Sequence, residues 1–128
     1  MKPTNPKDVL GIKKVSVSLF PATVMMEVSV ALLEGALKYG RYNWRTAGVR
    51  ESVYIDAAER HMAAYREGED IDPDSGLSHI TKAIASLTVL RDGMIRGNTT
   101  DDRPPKTPDG WLVKLNEVAG FLIERYTK

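Results

Sequence analysis

The chain has 128 residues, the size of one domain, and its 42% hydrophobic content can bury a modest core without disulfides or a structural zinc. It has no cysteine, which excludes a disulfide framework, a cysteine-based zinc site and a thiol nucleophile, and makes a cytoplasmic setting the default expectation. Lys and Arg total 18 against 17 for Asp and Glu, so no global field would hold a polyanion; no nucleic-acid partner is expected, and the charges interrupting every apolar stretch argue against a membrane.

In chain order, residues 1–18 mix Pro3, Pro6, Gly11 and several lysines without a helical period, and read as an extended arm with no helix. From Pro21 the apolar residues Val24, Met25, Val28, Leu32 and Leu37 recur at helical spacing up to a stop at Gly40. The aromatic and basic stretch Arg41 to Arg50 has no period and reads as a loop. A second helix runs from about Glu51 to Glu67, burying Tyr54, Ile55, Ala58, Met62 and Tyr65. Pro73 makes Glu69 to Gly76 an acidic turn, with Ser75 placed to cap a third helix over roughly Leu77 to Ile95. Residues 97–107 have the composition of a solvated linker. A fourth helix starts at Thr107-Pro108-Asp109 and ends near Tyr126, with Trp111, Leu115, Val118 and Leu122 as its stripe. The expectation is a single all-α domain over 1–128, a bundle of about four helices.

The chemistry-bearing residues fall in three places. Glu27, Glu34 and Lys38 share one face of the first long helix, because seven and four residues are close to whole turns. The second offers Asp56, Glu59, Arg60 and His61; if the two helices pack side by side, Glu34 could face Asp56 and Glu59 across an oxygen-rich seam suited to Mg²⁺ or Mn²⁺. The equal and blander reading is a set of solvated faces and an Asp56–Arg60 salt bridge. The stretch from Lys38 to Arg45 gathers three cations, three aromatics and Asn43. Lys38, Arg41 and Arg45 suit phosphate oxygens, Trp44 a purine face and Asn43 a base edge or sugar, unless the aromatics plug the core and the arginines pair with carboxylates. Asp70, Asp72 and Asp74 begin like a calcium loop, but the required glycine is one place late and the closing glutamate is missing. His79 follows in the next helix, where its ring suits metal, phosphate or the acidic turn.

These motifs in this order resemble the phage-type dATP/dGTP diphosphohydrolases, a branch of the MazG-like all-α nucleoside triphosphate pyrophosphohydrolases. The likeness runs from residue 3 to about 92 through KPTNPKD, ALLEGALKYGRYNWR, the Val53–Ala58 run followed by Arg60-His61, and GEDIDPDSGLSH. It implies a helical bundle, usually a homo-oligomer (dimer or tetramer), that uses Mg²⁺ or Mn²⁺ to release pyrophosphate from a purine deoxynucleoside triphosphate, dGTP or dATP. In a phage it would work in the host cytoplasm, and some members supply dGMP for 2-aminoadenine-containing DNA. The MazG-like pattern sets ExxE on one helix and ExxD on the next. Here Ala31 and Leu37 flank Glu34, and Asp56 and Glu59 stand in reversed order.

The resulting expectation gives Glu34, Asp56 and Lys38 catalytic roles and Glu34, Asp56, Glu27 and Glu59 as metal ligands. Arg41, Asn43, Trp44, Arg45, Arg60 and His79 would hold the substrate. The rivals are a pool-cleaning pyrophosphohydrolase of another nucleotide, a nucleotide-binding helical module without turnover, and a helical oligomerisation scaffold.

Overall fold

The computed structural model describes residues 5–127 and is all-α, with a minimal two-stranded ladder. Its elements are α1 (Pro6–Gly11), α2 (Ala22–Tyr39), α3 (Asn43–Ala47), β1 (Val49–Arg50), α4 (Glu51–Arg66), α5 (His79–Ile95), β2 (Thr99–Thr100) and α6 (Trp111–Tyr126). The four long helices are those the hydrophobic periods predict. The first four positions of the expected arm, with part of the KPTNPKD motif, lie outside the described residues, as does Lys128.

Helix α5 is the centre. Helices α2 and α4 each pack on it and hardly on one another, because α5 alone is apolar on most of its circumference: Thr81, Ala83, Ala85, Val89, Leu90 and Gly93 are all buried. Val28 and Ala31 of α2 meet Ala85 on one side. On the other, Val49, Val89 and Leu90 pack with Leu32, Trp44, Tyr54 and Ile55. The small residues let the backbones approach closely. Gly93 is the extreme case: a Cβ there would lie 2.9 Å from Cγ2 of Val49 and 3.2 Å from Cγ2 of Thr99.

Four local expectations need correction. The arm is not wholly extended: Asn5 accepts a hydrogen bond from the Lys7 amide and starts α1 at Pro6, a proline tolerated where no amide donor is required. The 41–50 loop contains α3 and β1, since Asn98 Nδ2 donates to the carbonyls of Trp44 and Arg45 at 3.0 Å and closes a short turn that local sequence alone would not hold. The cap of α5 is Ser78, whose hydroxyl accepts from the Ile80 amide, while Ser75 braces the turn through Asp72 and the Leu77 amide. The 97–107 segment is not all solvated linker. Thr99 and Thr100 pair in parallel with Val49 and Arg50, and the Asp102 carboxylate accepts from the Ser52 amide at 2.9 Å and from the Ser52 hydroxyl, capping the start of α4 where Arg50 makes no side-chain cap.

Helix α6 follows Gly110, whose φ of 77° delays the helix to Trp111. None of its residues is buried. No described helix is long and apolar enough to cross a membrane.

Candidate active site

A polar network lies on the first half of α5, between α2, the end of α4 and the acidic turn. From α2, Glu27 accepts a hydrogen bond from the Thr81 hydroxyl, and Glu34 accepts one from the Lys82 ammonium. Lys38, one turn on, stands 3.8 Å from Glu34. The Lys82 bond and charge, aided by Lys38, hold the Glu34 carboxyl below its ordinary pKa against partial burial and against the negative charge of nearby Asp72.

The acidic turn folds back on α5 because the His79 amide donates to the Asp70 carbonyl at 3.0 Å and the Asp72 amide to that of Leu77 at 2.8 Å. Asp72 is half-buried. Burial opposes its ionisation, but the Asp74 amide, the Ser75 hydroxyl and the neighbouring histidines outweigh that and keep it ionised. His79 is buried, with Nε2 against Glu69 Oε1 at 2.6 Å and Nδ1 against His61 Nδ1 at 2.9 Å. The pair is the chain's whole complement of histidine. Burial lowers the His61 pKa; Asp72 pulls the other way, and His79, Lys82 and Arg60 lower it further, so His61 is neutral at pH 7. Two facing ring nitrogens can share only one proton. In the tautomer in which His79 Nε2–H donates to Glu69 and His61 Nδ1–H donates to His79 Nδ1, the lone pair on His61 Nε2 is left free.

The expected site residues divide by these contacts. Glu34, Lys38, Glu27 and His79 come together, joined by His61, Asp72, Glu69 and Lys82. Asp56 and Glu59 do not join them: both are exposed, and Asp56 sits two residues from buried Ala58, on the far face of α4. Arg60 is exposed beside them. The expected seam between Glu34 and Asp56 is not formed, since α5 stands between α2 and α4. Sequence reasoning misses Lys82 as a site residue, although it is the one charge between His79 and Arg91 on an otherwise apolar helix, a position that demands a carboxylate partner.

The aromatic loop forms a second feature. The Trp44 indole N–H donates to Asp92 at 2.7 Å, and Arg45 reaches the same carboxylate at 2.9 and 3.0 Å. These bonds pull the Asp92 pKa down to about 2. Arg45 is thus committed to a carboxylate and Trp44 to the core edge, the alternative left open by the sequence. Tyr42, in the left-handed region at φ 56°, lies under the Arg45 guanidinium, 4.4 Å from ring centre to Cζ. Arg41, Tyr42 and Trp44 line a pocket of about 400 Å³ with Ser29, Leu33 and Ala36 of α2. Asn43 is half-buried at the start of α3 and makes no side-chain hydrogen bond to the described residues. Ser29, Leu33 and Ala36 form one stripe of α2 and Glu27, Glu34 and Lys38 another, so pocket and network occupy opposite flanks of the same helix.

Among the described residues, no three acidic or histidine side chains converge as a metal cage. Mg²⁺ commonly keeps several waters and takes one or two carboxylates plus substrate phosphates. Glu34 and Asp72, two ionised oxygen donors near enough to feel each other, fit that mode.

Comparison with known proteins follows the same residues. Positions 4–103 match the family model described as dATP/dGTP diphosphohydrolase, N-terminal. A curated protein of Salmonella phage PMBT28 named dATP/dGTP diphosphohydrolase is 33% identical over 97 residues, covering 73% of this chain and 33% of that protein. The chain therefore spans about a third of that relative's length. No solved structure matches.

Proposed function

The chain belongs to the dATP/dGTP diphosphohydrolase family, and from that premise we propose that it hydrolyses a purine deoxynucleoside triphosphate to its monophosphate and pyrophosphate at the α5 network. The observation that carries this reading is the union of opposed charges with a hydrogen-bonded histidine pair: Glu34, Asp72, Lys82 and Lys38 beside His61, His79 and Glu69.

Glu34 and Asp72 would hold Mg²⁺ or Mn²⁺ arriving with the triphosphate, and the ion supplies charge neutralisation at phosphate oxygens. Lys82 and Lys38, paired with Glu34 in the free protein, supply the cations that meet the charge developing on pyrophosphate. Neutral His61 takes the proton of the attacking water at Nε2. Its Nδ1 proton passes to His79, whose Nε2 proton passes to Glu69, so that no uncompensated charge remains on the pair. Water oxygen bonds to the α-phosphorus as the bridging oxygen to the β-phosphorus leaves.

The test is incubation of the 128-residue protein with each deoxynucleoside triphosphate, with and without Mg²⁺ or Mn²⁺, and chromatography of the products. Monophosphate and pyrophosphate from dATP or dGTP, lost in Glu34→Gln with helical content unchanged, are the expected result. Release of orthophosphate alone, or full activity in Glu34→Gln, would overturn the assignment. Tight nucleotide binding without turnover would favour the second reading, a nucleotide-binding module, for which the want of a three-ligand cage among the described residues of one chain is the supporting observation.

A further inference from the structure

Between His79 and Arg91 helix α5 carries a single charge, Lys82. Its side chain is 17% exposed, and its ammonium donates to Glu34 Oε1, the same oxygen that Lys38 approaches to 3.8 Å. Among the described residues this is the one side-chain bond that the Lys82 ammonium makes. A lysine so enclosed must keep an anion beside it, because an unpaired buried ammonium is strongly disfavoured.

Glu34 is also one of the two carboxylates, with Asp72, that fit a hydrated divalent ion, and its Oε1 is already held by cations. Two lysines cancel the charge of the two carboxylates. A divalent ion entering alone meets no net negative charge, and to reach Glu34 it must displace Lys82 and leave that ammonium buried beside it without a partner. A triphosphate changes both conditions. It brings more negative charge than the ion neutralises, and its oxygens accept an ammonium as a point charge.

We propose that Lys82 is a plug in the metal site, holding Glu34 in the free protein and yielding it to a divalent ion that arrives with a triphosphate. The inference rests on the reading of Glu34 as a metal-site carboxylate of the proposed active site. Lys38 is not the plug: it stands farther from the oxygen and is 49% exposed, so its ammonium can turn into solvent. By reciprocity the ion and the triphosphate each strengthen the binding of the other, and removing the charge of Lys82 removes that coupling.

Equilibrium dialysis of the full chain tests this, with Mn²⁺ alone or with a dATP or dGTP analogue bridged by methylene between the α- and β-phosphorus. For Mn²⁺ alone, Lys82→Met should bind about tenfold more tightly than the parent, a coupling of ordinary size. Lys38→Met should stay close to the parent, and the gain should vanish in Lys82→Met/Glu34→Gln. With the analogue the order should reverse, the parent retaining more Mn²⁺ because Lys82 then holds phosphate. Loss of a merely structural contact would weaken binding in both arms. Should Lys82→Met lose its helical circular dichroism, Lys82→Gln takes its place with the same expectations, since it keeps a hydrogen bond to Glu34 without the charge. Equal affinity for Mn²⁺ alone in parent and variant, or no reversal with the analogue, would overturn the plug and leave the proposed hydrolysis standing. A gain that survives Glu34→Gln, or Mn²⁺ retained by no protein in either arm, would remove the metal reading of Glu34 and the plug with it.

Discussion

At the scale of single residues, Asp92 decides how the aromatic loop sits. Its carboxylate binds Arg45 through two bonds and takes the Trp44 N–H as well, which is why its pKa falls to about 2. The folded value lies below the ordinary one near 3.8, so the stabilisation is present above about pH 4 and is lost as pH falls through about 2. Asp92→Asn should therefore melt several degrees below the parent at pH 7, and the gap should narrow steadily as the buffer is taken towards pH 3. A gap independent of pH would mean that shape, and not charge, holds the loop. Nothing in the local sequence reveals this pairing, because Trp44 and Asp92 are forty-eight positions apart. Glu34 and Lys38 are legible as neighbours because one turn of one helix joins them. Lys82 and Asp72 reach the same site from other elements and become visible only with the packing of α2 and the acidic turn on α5.

At the scale of elements, helical periods locate the four long helices to within a few residues, since amphipathic spacing is a local property. They do not reveal the order of packing. The side-by-side arrangement of the first two long helices, which would have joined Glu34 to Asp56, gives way to α5 as the common partner, the helix with the most buried residues. Two glycines measure this closeness. A methyl group on Gly35 in α2 would meet nothing within 4 Å, whereas one on Gly93 in α5 would press into Val49 and Thr99 inside van der Waals distance. Gly35→Ala should then stabilise the protein by about 0.5–1 kcal/mol through helix propensity. Gly93→Ala gains the same propensity but forces β1 and β2 off the helix, at an overpacking cost of about 1–3 kcal/mol. Urea melts of the two variants should move the midpoint in opposite directions. A stabilising Gly93→Ala would show that the β1–β2 ladder yields freely.

At the scale of the whole molecule, the interior is built of small side chains and none of the residues of α6 is buried. The stripe on α6 reads in the sequence like that of any other core-facing helix, but a hydrophobic period cannot say whether its cover lies in the same chain or in another. Stability tells the two apart. If part of the core is intermolecular, unfolding is coupled to dissociation, and mass action makes the melting temperature rise with protein concentration. For a self-associating chain of this size, a hundredfold dilution should lower the midpoint by several degrees. Leu115→Glu/Leu122→Glu should show a lower midpoint that no longer responds to dilution. The proposed turnover of nucleotide would offer an independent reading in the same samples: the α5 network is built from residues of one chain, so any such activity per chain should survive dilution wherever the fold does. Activity lost in step with assembly, below the temperature of unfolding, would mean that the second copy reaches the network as well.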